Sequence, residues 1–444
     1  MDAVLLARVQ FALTVGFHFL FPPITIGLAW LLVIVETLGW RRRDDSYVRI
    51  GRFFGKILGL TFAVGVATGI VMEFQFGTNW AEYSKFVGDI FGAPLAAEGI
   101  FAFFLESGFL GLYLFGRGRI SKRVHWFSAV MVAFGATLSA FWIIVANSWQ
   151  QTPAGYAIRN GRAELTDFWA AVFNPSTLIR YFHTVDAALV TGAFFMAGIS
   201  AYLLLKGKEA ELARRSLKIS LIFGLVVSIL EVLPFGHEHA RQVARTQPEK
   251  FAAIEGLYMT QTGAPIVMFA VPTEKPPTLH ATIEIPGLLS WLAFGDPNAP
   301  VKGLNEFPYD EVPPLWLTFV SFHNMVILGF YFIVVMAIGT YRLYRKSLWT
   351  SRKFLRVLIW SIPLPLIACQ LGWIAAEVGR QPWIVYRLLK TTDAVSVSIP
   401  AGDILFSIIL FSIVYLLLGA LYVYLLVRKV QAGPEPMPAE EVAA

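Results

Sequence analysis

The chain contains a single cysteine, Cys369, among its 444 residues. One thiol excludes a disulfide within the chain, a CxxCH haem-attachment motif and a CxxC metal knuckle. Charge is sparse as well: Asp, Glu, Lys and Arg make up 15%, where soluble domains carry roughly 25%. With 56% hydrophobic residues and a mean hydropathy of +0.62, the composition is that of a membrane protein. No basic region precedes the first apolar run and no early small-residue cleavage site follows it, so the N-terminal segment reads as a retained helix. No long internal repeat occurs. Low complexity is confined to the tail 433–444, which is expected to be disordered.

What is present is a series of long apolar runs. A bilayer core needs about 20 apolar residues in a helix, and nine stretches qualify, near 11–38, 57–76, 95–115, 124–146, 178–205, 217–235, 315–340, 357–378 and 404–427. The expected fold class is all-α and polytopic. Lysine and arginine then set the orientation. The connections 41–56, 116–123, 206–218 and 341–356, with Arg428 and Lys429, hold 23 of the 36 basic residues. Three alternate segments are sparse, the N-terminal stretch having Arg8, 77–94 Lys85 and the connection after span 8 three. The pattern places the N-terminus outside and the C-terminus in the cytoplasm. The net charge of +6 is mostly topology, and with no external basic stripe nucleic acid is not an expected partner. Residues 1–235 carry spans 1–6, 236–314 an external loop, 315–428 spans 7–9, and 429–444 a cytoplasmic tail.

Against this background a few residues stand out, because an ionisable group inside a membrane is costly unless it binds something. His18 lies about ten residues into span 1, roughly 15 Å deep. Glu98 is expected near the outer end of span 3, with Glu106 about 12 Å deeper. His183 opens span 5, Met325 is well inside span 7, and Glu377 ends span 8 within GWIAAEVGRQPW, residues 372–383. All six fall in the outer half, which suggests one polar or metal-bearing site. Histidine and methionine are a familiar axial pair for haem iron, and a lone histidine or carboxylate leaves the opposite face of an iron open. Each residue also has a plainer reading. A single histidine near a helix end is more often packing than a ligand, and a methionine among Leu and Phe is usually filler. Glu98 and Glu106 could equally serve a transport route or pair with a partner subunit. Glu73, Asp186 and Glu231 also fall at outer ends, without an assigned task.

The connection 236–314 is too long for a mere link. Thr246 and Glu249 match a capping box with Pro248 in the first turn, which predicts a short helix over about 247–260. From 263 onward prolines suggest irregular chain. Lys250 and Glu255 do not share a helical face, and both default to solvated surface charge. His237 and His239 alone are too few ligands for a metal site.

At this point the motifs carry a resemblance. RVQFALT and GFHFLFPP around His18, EGIFAFFLESGFLG with Glu98 and Glu106, YFHTVDAAL around His183, QPEKFAAIE in the loop, FHNMVILG in span 7 and GWIAAEVGRQPW in span 8 are similar to subunit I of the cytochrome bd-type quinol oxidases over nearly the whole chain. The resemblance implies a quinol:oxygen oxidoreductase of the bacterial cytoplasmic (inner) membrane that reduces oxygen to water with protons from the cytoplasm. It implies His183 and Met325 as axial ligands of a low-spin haem b. His18 and Glu377 match the single ligands of a high-spin haem b and a haem d, or a further haem b. Which of them serves which stays open, because the macrocycles exchange places within the family. Glu98 and Glu106 match carboxylates of the oxygen site and its proton supply, and Lys250 and Glu255 match loop residues of quinol oxidation. Arg380 and Trp373 match positions beside the haems, as a propionate partner and an aromatic bridge. Subunit II, a small single-helix subunit, membrane lipid, quinol and O2 are the implied partners.

Two departures are visible. His323 stands two positions before Met325, where some members have Arg, and the loop has the short form. Two rivals remain at the level of sequence. One is a transporter with cation-binding carboxylates, which should show inverted repeats or broken helices. The other is a cytochrome b-type electron-transfer subunit without oxygen reduction, which has no need of Glu377.

Overall fold

Prolines and polar caps divide the apolar runs into the observed elements. The computed structural model describes residues 2–274 and 277–436; the rest of the tail expected to be disordered lies outside them. The first span begins at α1 (Ala3–His18), capped by Asp2, which accepts from Val4 N at 2.9 Å. Pro22 and Pro23 lack the N–H groups that would continue α1, so the chain breaks after His18 and restarts as α2 (Pro22–Arg42). Span 1 is therefore two helices, with His18 at the break. Asp44 caps α3 (Asp45–Thr78).

Span 3 is also interrupted. α4 (Ala81–Ala97) passes into a π-helical turn, Glu98–Phe103, and then α5 (Phe104–Phe115). Such widened turns are rare and gather at functional sites. Ser121 caps α6 (Lys122–Gln151). The short α7 (Phe168–Val172) precedes α8 (Thr177–Leu205), the most buried span. Span 6 is α9 (Ala210–Leu230), a second π-helical turn over Glu231–Gly236, and α10 (His237–Thr246). Pro234 lies inside that turn and is incompatible with a regular α-helical bond there. α11 (Pro248–Glu255) and α12 (Leu288–Phe294) belong to the long connection. α13 (Leu315–Tyr344), α14 (Arg352–Trp360) with α15 (Leu364–Val378), and α16 (Ala401–Ala432) complete the set. Nine spans long and apolar enough to cross a membrane occur among the described residues, as expected.

The helices pack around α8, with α2, α9, α14 and α6 against it. The α2/α8 crossing is backbone on backbone: a Cβ at Gly27 would sit 2.3 Å from Ala188 O, and one at Gly192 2.3 Å from Gly27 C. Small residues permit such close approach between membrane helices. α16 leaves most of its apolar surface exposed, for example Phe406 and Leu416, as a lipid-facing or partner-facing helix does.

The long connection corrects three expectations. Its helix ends at Glu255 with left-handed Gly256 (φ 68°) as stop, short of 260. The capping box does not form, because Thr246 closes α10 by donating to Gln242 O at 2.9 Å and Glu249 accepts instead from Tyr386 Oη at 2.6 Å. Beyond 263 the chain is not irregular: Ile266–Glu274 pairs antiparallel with Pro277–Ile285. Val243, Phe251, Leu257 and Leu289 form a small core of its own.

Candidate functional site

The ends of α6, α8 and α15 meet the loop helix α11, and the buried polar side chains concentrate there. Glu377, in the last turn of α15, forms an ion pair with Arg380. It also accepts from Asn147 Nδ2 at 3.1 Å and Gln151 Nε2 at 3.4 Å. Asn147 in turn accepts from Arg180. Gln151 has a second bond: its Oε1 accepts from Lys250 Nζ at 3.1 Å. One glutamine thus joins the loop lysine to the span 8 carboxylate. Lys250 also donates to Ala376 O at 2.9 Å, and a Cβ at Gly379 would lie 3.2 Å from its stem.

The default of solvated loop charge fails. Lys250 is 4% exposed and Glu255 5%. Burial, then the nearby Arg180 charge, holds the Lys250 ammonium well below its ordinary range. Burial pushes the Glu255 carboxyl up to about 8, and its Oε2 is buried without a hydrogen-bond partner. The fold packs α11 against α13 and α10, which sequence periodicity over eight residues cannot reveal.

Deeper in the bundle, His18 Nδ1 lies 3.0 Å from Thr68 Oγ1. The Thr68 hydroxyl is committed as a donor to Val64 O or Gly65 O, at 3.0 and 2.9 Å. It therefore accepts from His18 Nδ1–H, which leaves the Nε2 lone pair available for a metal. A Cβ at Gly69 would lie 3.1 Å from the His18 ring. Gly69 is nine residues from the loop-side end of α3, roughly 14 Å along that helix.

His183 Nδ1 sits 3.0 Å from Glu231 Oε1, off the line of a hydrogen bond, and its ring packs edge-on against His239 at 5.0 Å. Met325 Sδ lies 3.0 Å from where a Cβ on Gly372 would be, so glycine makes room for the thioether between α13 and α15. Trp373 meets Phe19 edge to face at 5.2 Å, beside the His18 break. His323 stacks on Phe319 at 3.9 Å, with Nδ1 3.0 Å from Phe319 O and Nε2 2.9 Å from Val267 O. A neutral imidazole carries one N–H, so it donates to one of these two carbonyls at a time.

Glu98 is a further correction. It accepts from Ser139 Oγ at 2.6 Å, and α4 begins seventeen residues before it, so it lies in mid-span rather than near an outer end. The apolar run that marked span 3 begins well after the helix does. Glu106 is 7% exposed, with Gly135 packed on its Cβ; nine residues from the end of α5, it falls in the inner half of the span, not in the outer half expected.

Among the described residues no group of three or more His, Cys, Asp or Glu is placed to hold a metal ion; the candidate ligands lie singly on different helices. Three buried donors at the loop end, Arg180 Nε, Arg380 Nε and Trp383 Nε1, have no partner, and Arg180 and Arg380 place two buried guanidinium groups there beside the Lys250 amine. An anionic group such as a haem propionate fits that donor set. Sequence reading missed Asn147, Gln151, Arg180 and Gln150, whose Oε1 accepts from Arg380 at 3.3 Å. The available signal was NSWQQ, residues 147–151, an unusually polar end to an apolar span.

Nine apolar spans with isolated His, Met and Glu side chains turned inward define an integral-membrane protein of the kind that holds flat, anionic prosthetic groups between helices. The family model for cytochrome bd terminal oxidase subunit I matches residues 6–434. The chain belongs to that family. It is 43% identical to the cytochrome bd ubiquinol oxidase subunit 1 of Bacillus subtilis (strain 168), over 98% of this chain and 95% of that one. It is 38% identical to the cytochrome bd-II ubiquinol oxidase subunit 1 of Escherichia coli (strain K12), over 99% and 98%. The fold matches the bd oxidase structure from Geobacillus thermodenitrificans with a TM-score of 0.92 at 32% identity, covering 98% of this chain and 99% of that one. Membership makes the chain part of a quinol:oxygen oxidoreductase with haem cofactors and sets aside the transporter and the oxygen-independent cytochrome b readings.

Proposed function

We propose that this subunit oxidises quinol at the loop end and carries all the haem of the oxidase between its helices. His183 and Met325 would hold a low-spin haem b. His18 and Glu377 would each hold one high-spin haem, a haem b and a haem d or a further haem b. When bound, haem supplies one-electron transfer and the reduction of oxygen to water. The loop end faces outside and the basic connections face the cytoplasm, in a bacterial inner membrane, beside subunit II and a small single-helix subunit.

The chain's own groups then have definite tasks. Lys250, kept from charging by burial, presents an amine to a quinol oxygen. Glu255 takes a quinol hydroxyl proton, since a carboxyl raised to about 8 is a competent base near neutral pH. Arg380, with Arg180, neutralises propionate charge, and Trp373, against Phe19, is the aromatic bridge beside the His18 site. Glu106 relays protons from the basic end toward Glu98, whose carboxylate is oriented by Ser139. The observation that carries this reading is the Lys250–Gln151–Glu377 chain of hydrogen bonds, which brings loop and span 8 into one site.

The test is spectroscopic. Reduced-minus-oxidised and carbon-monoxide difference spectra of the purified complex should show one low-spin and two high-spin haems. His183→Ala or Met325→Ala should remove the low-spin signal alone. An unchanged spectrum in both variants would refute the axial assignment. Glu106→Gln should slow oxygen reduction with the haem spectrum retained.

A further inference from the structure

At the end of the bundle away from the loop, α3 and the end of α5 enclose a cavity of about 350 Å³, within the range of about 300–1,000 Å³ typical of small-molecule clefts. Arg52 and Lys56 line it from α3, and Arg117 and Arg119 from the turn after α5; no carboxylate is among its lining residues. Glycine on α3 lets the wall behind the cavity pack close against that helix. A Cβ at Gly51 would lie 2.2 Å from Glu36 Oε1, and one at Gly55 3.1 Å from the Tyr113 ring. Behind it the wall is rigid: Glu36 is 7% exposed and Tyr113 3%, Tyr113 Oη donates to Glu36 Oε1 at 2.9 Å, and Arg117 pairs with the same carboxylate. This fixes Arg117 at the cavity wall.

Two further features say what kind of anion fits. The cavity lies about two to three turns inside α3 and at the last turn of α5, the level at which apolar spans meet the basic connections. Phe115, 73% exposed, lines the cavity and begins an open face of α5 that continues through Gly111, Gly108 and Phe104 at helical spacing. Nothing lies within 4 Å of a Cβ at Gly108 or Gly111, and Phe104 is 67% exposed. A shallow apolar channel therefore leads from the basic hollow along the membrane-facing side of the helix.

We infer that this cavity binds the phosphate of an anionic phospholipid, with one acyl chain laid over Gly111 and Gly108. Basic pockets between membrane helices are suited to such headgroups, and the attached apolar channel distinguishes a lipid from free phosphate. The chain's own Glu435 carboxylate already lies 2.5 Å from Lys56 at the rim, which makes the tail a competitor for an anion there.

The experiment is native mass spectrometry of the whole oxidase complex released from micelles containing phosphatidylglycerol, phosphatidylcholine or detergent with inorganic phosphate. Retention of phosphatidylglycerol but not phosphatidylcholine is expected. Lys56→Gln with Arg119→Gln, both at the exposed rim, should weaken retention by about 25-fold, each cation near an anionic headgroup accounting for about fivefold. Gly111→Leu, which leaves charge untouched, should also weaken it with the haem spectrum unaltered, and Glu435→Gln should strengthen it. Retention unaffected by both the charge and the Gly111 variants overturns the site. Equal occupancy by inorganic phosphate, or no retention in the wild-type complex, overturns the lipid assignment.

Discussion

Glu255 and Gln151 show how burial turns ordinary residues into chemical ones. The Glu255 carboxyl has its folded value raised from 4.5 to about 8 by burial. A raised value means the folded state favours the protonated form, so its contribution to stability is complete below about 4.5 and declines as pH climbs to about 8. The melting temperature of the purified complex should fall with pH across that window, and Glu255→Gln should flatten the fall. The same titration has the opposite sign for activity. Quinol oxidation should rise with pH as the carboxylate forms near 8, and Glu255→Gln should lose that limb in single-turnover rates measured against pH. For Gln151, 1% exposed, replacement by Leu deprives Lys250 and Glu377 of a shared buried partner. A loss of about 1–3 kcal/mol is expected, readable as a lowered denaturation midpoint.

Among the elements, the interrupted helices matter most. The break after His18 and the π-helical turns at Glu98 and Glu231 each put a polar side chain where a regular helix would present it differently. Pro22, Pro23 and Pro234 marked two of these places in the sequence. The turn at Glu98 had only Pro94, one turn earlier, as a hint. The hydropathy pattern located the spans but not their true ends, which is why Glu98 was expected too near the surface. The α2/α8 crossing gives a prediction at this scale. Gly192→Val would force side-chain atoms into the Gly27 backbone, and overpacking of that kind costs about 1–3 kcal/mol or more. Thermal unfolding of the complex should register it as a clear drop, while Gly402→Val, at an open position of α16, should be nearly neutral.

At the scale of the molecule, orientation and assembly follow from charge and exposed surface. Single cysteines introduced in place of Asp296 and Lys346, in a Cys369→Ser background, should react differently with a membrane-impermeant maleimide in intact cells. Labelling at 296 and protection at 346 are expected from the basic-loop distribution. The reverse result would invert both the quinol face and the direction of proton uptake proposed above. The exposed apolar face of α16 is an expected contact for lipid or a further subunit.

Hydropathy and charge are sums over neighbouring residues, so the sequence alone determined the nine spans, the all-α class and the side-chain types able to bind haem. Its motifs also named the family before any coordinates were needed. Which of those side chains share a site is a different matter. Lys250 meets Gln151 across 99 residues, and Gln151 meets Glu377 across 226. No local period encodes contacts at such separations. Only the packed bundle decided that the loop lysine is buried, that one glutamine links it to span 8, and that the opposite end of α5 closes around a basic hollow.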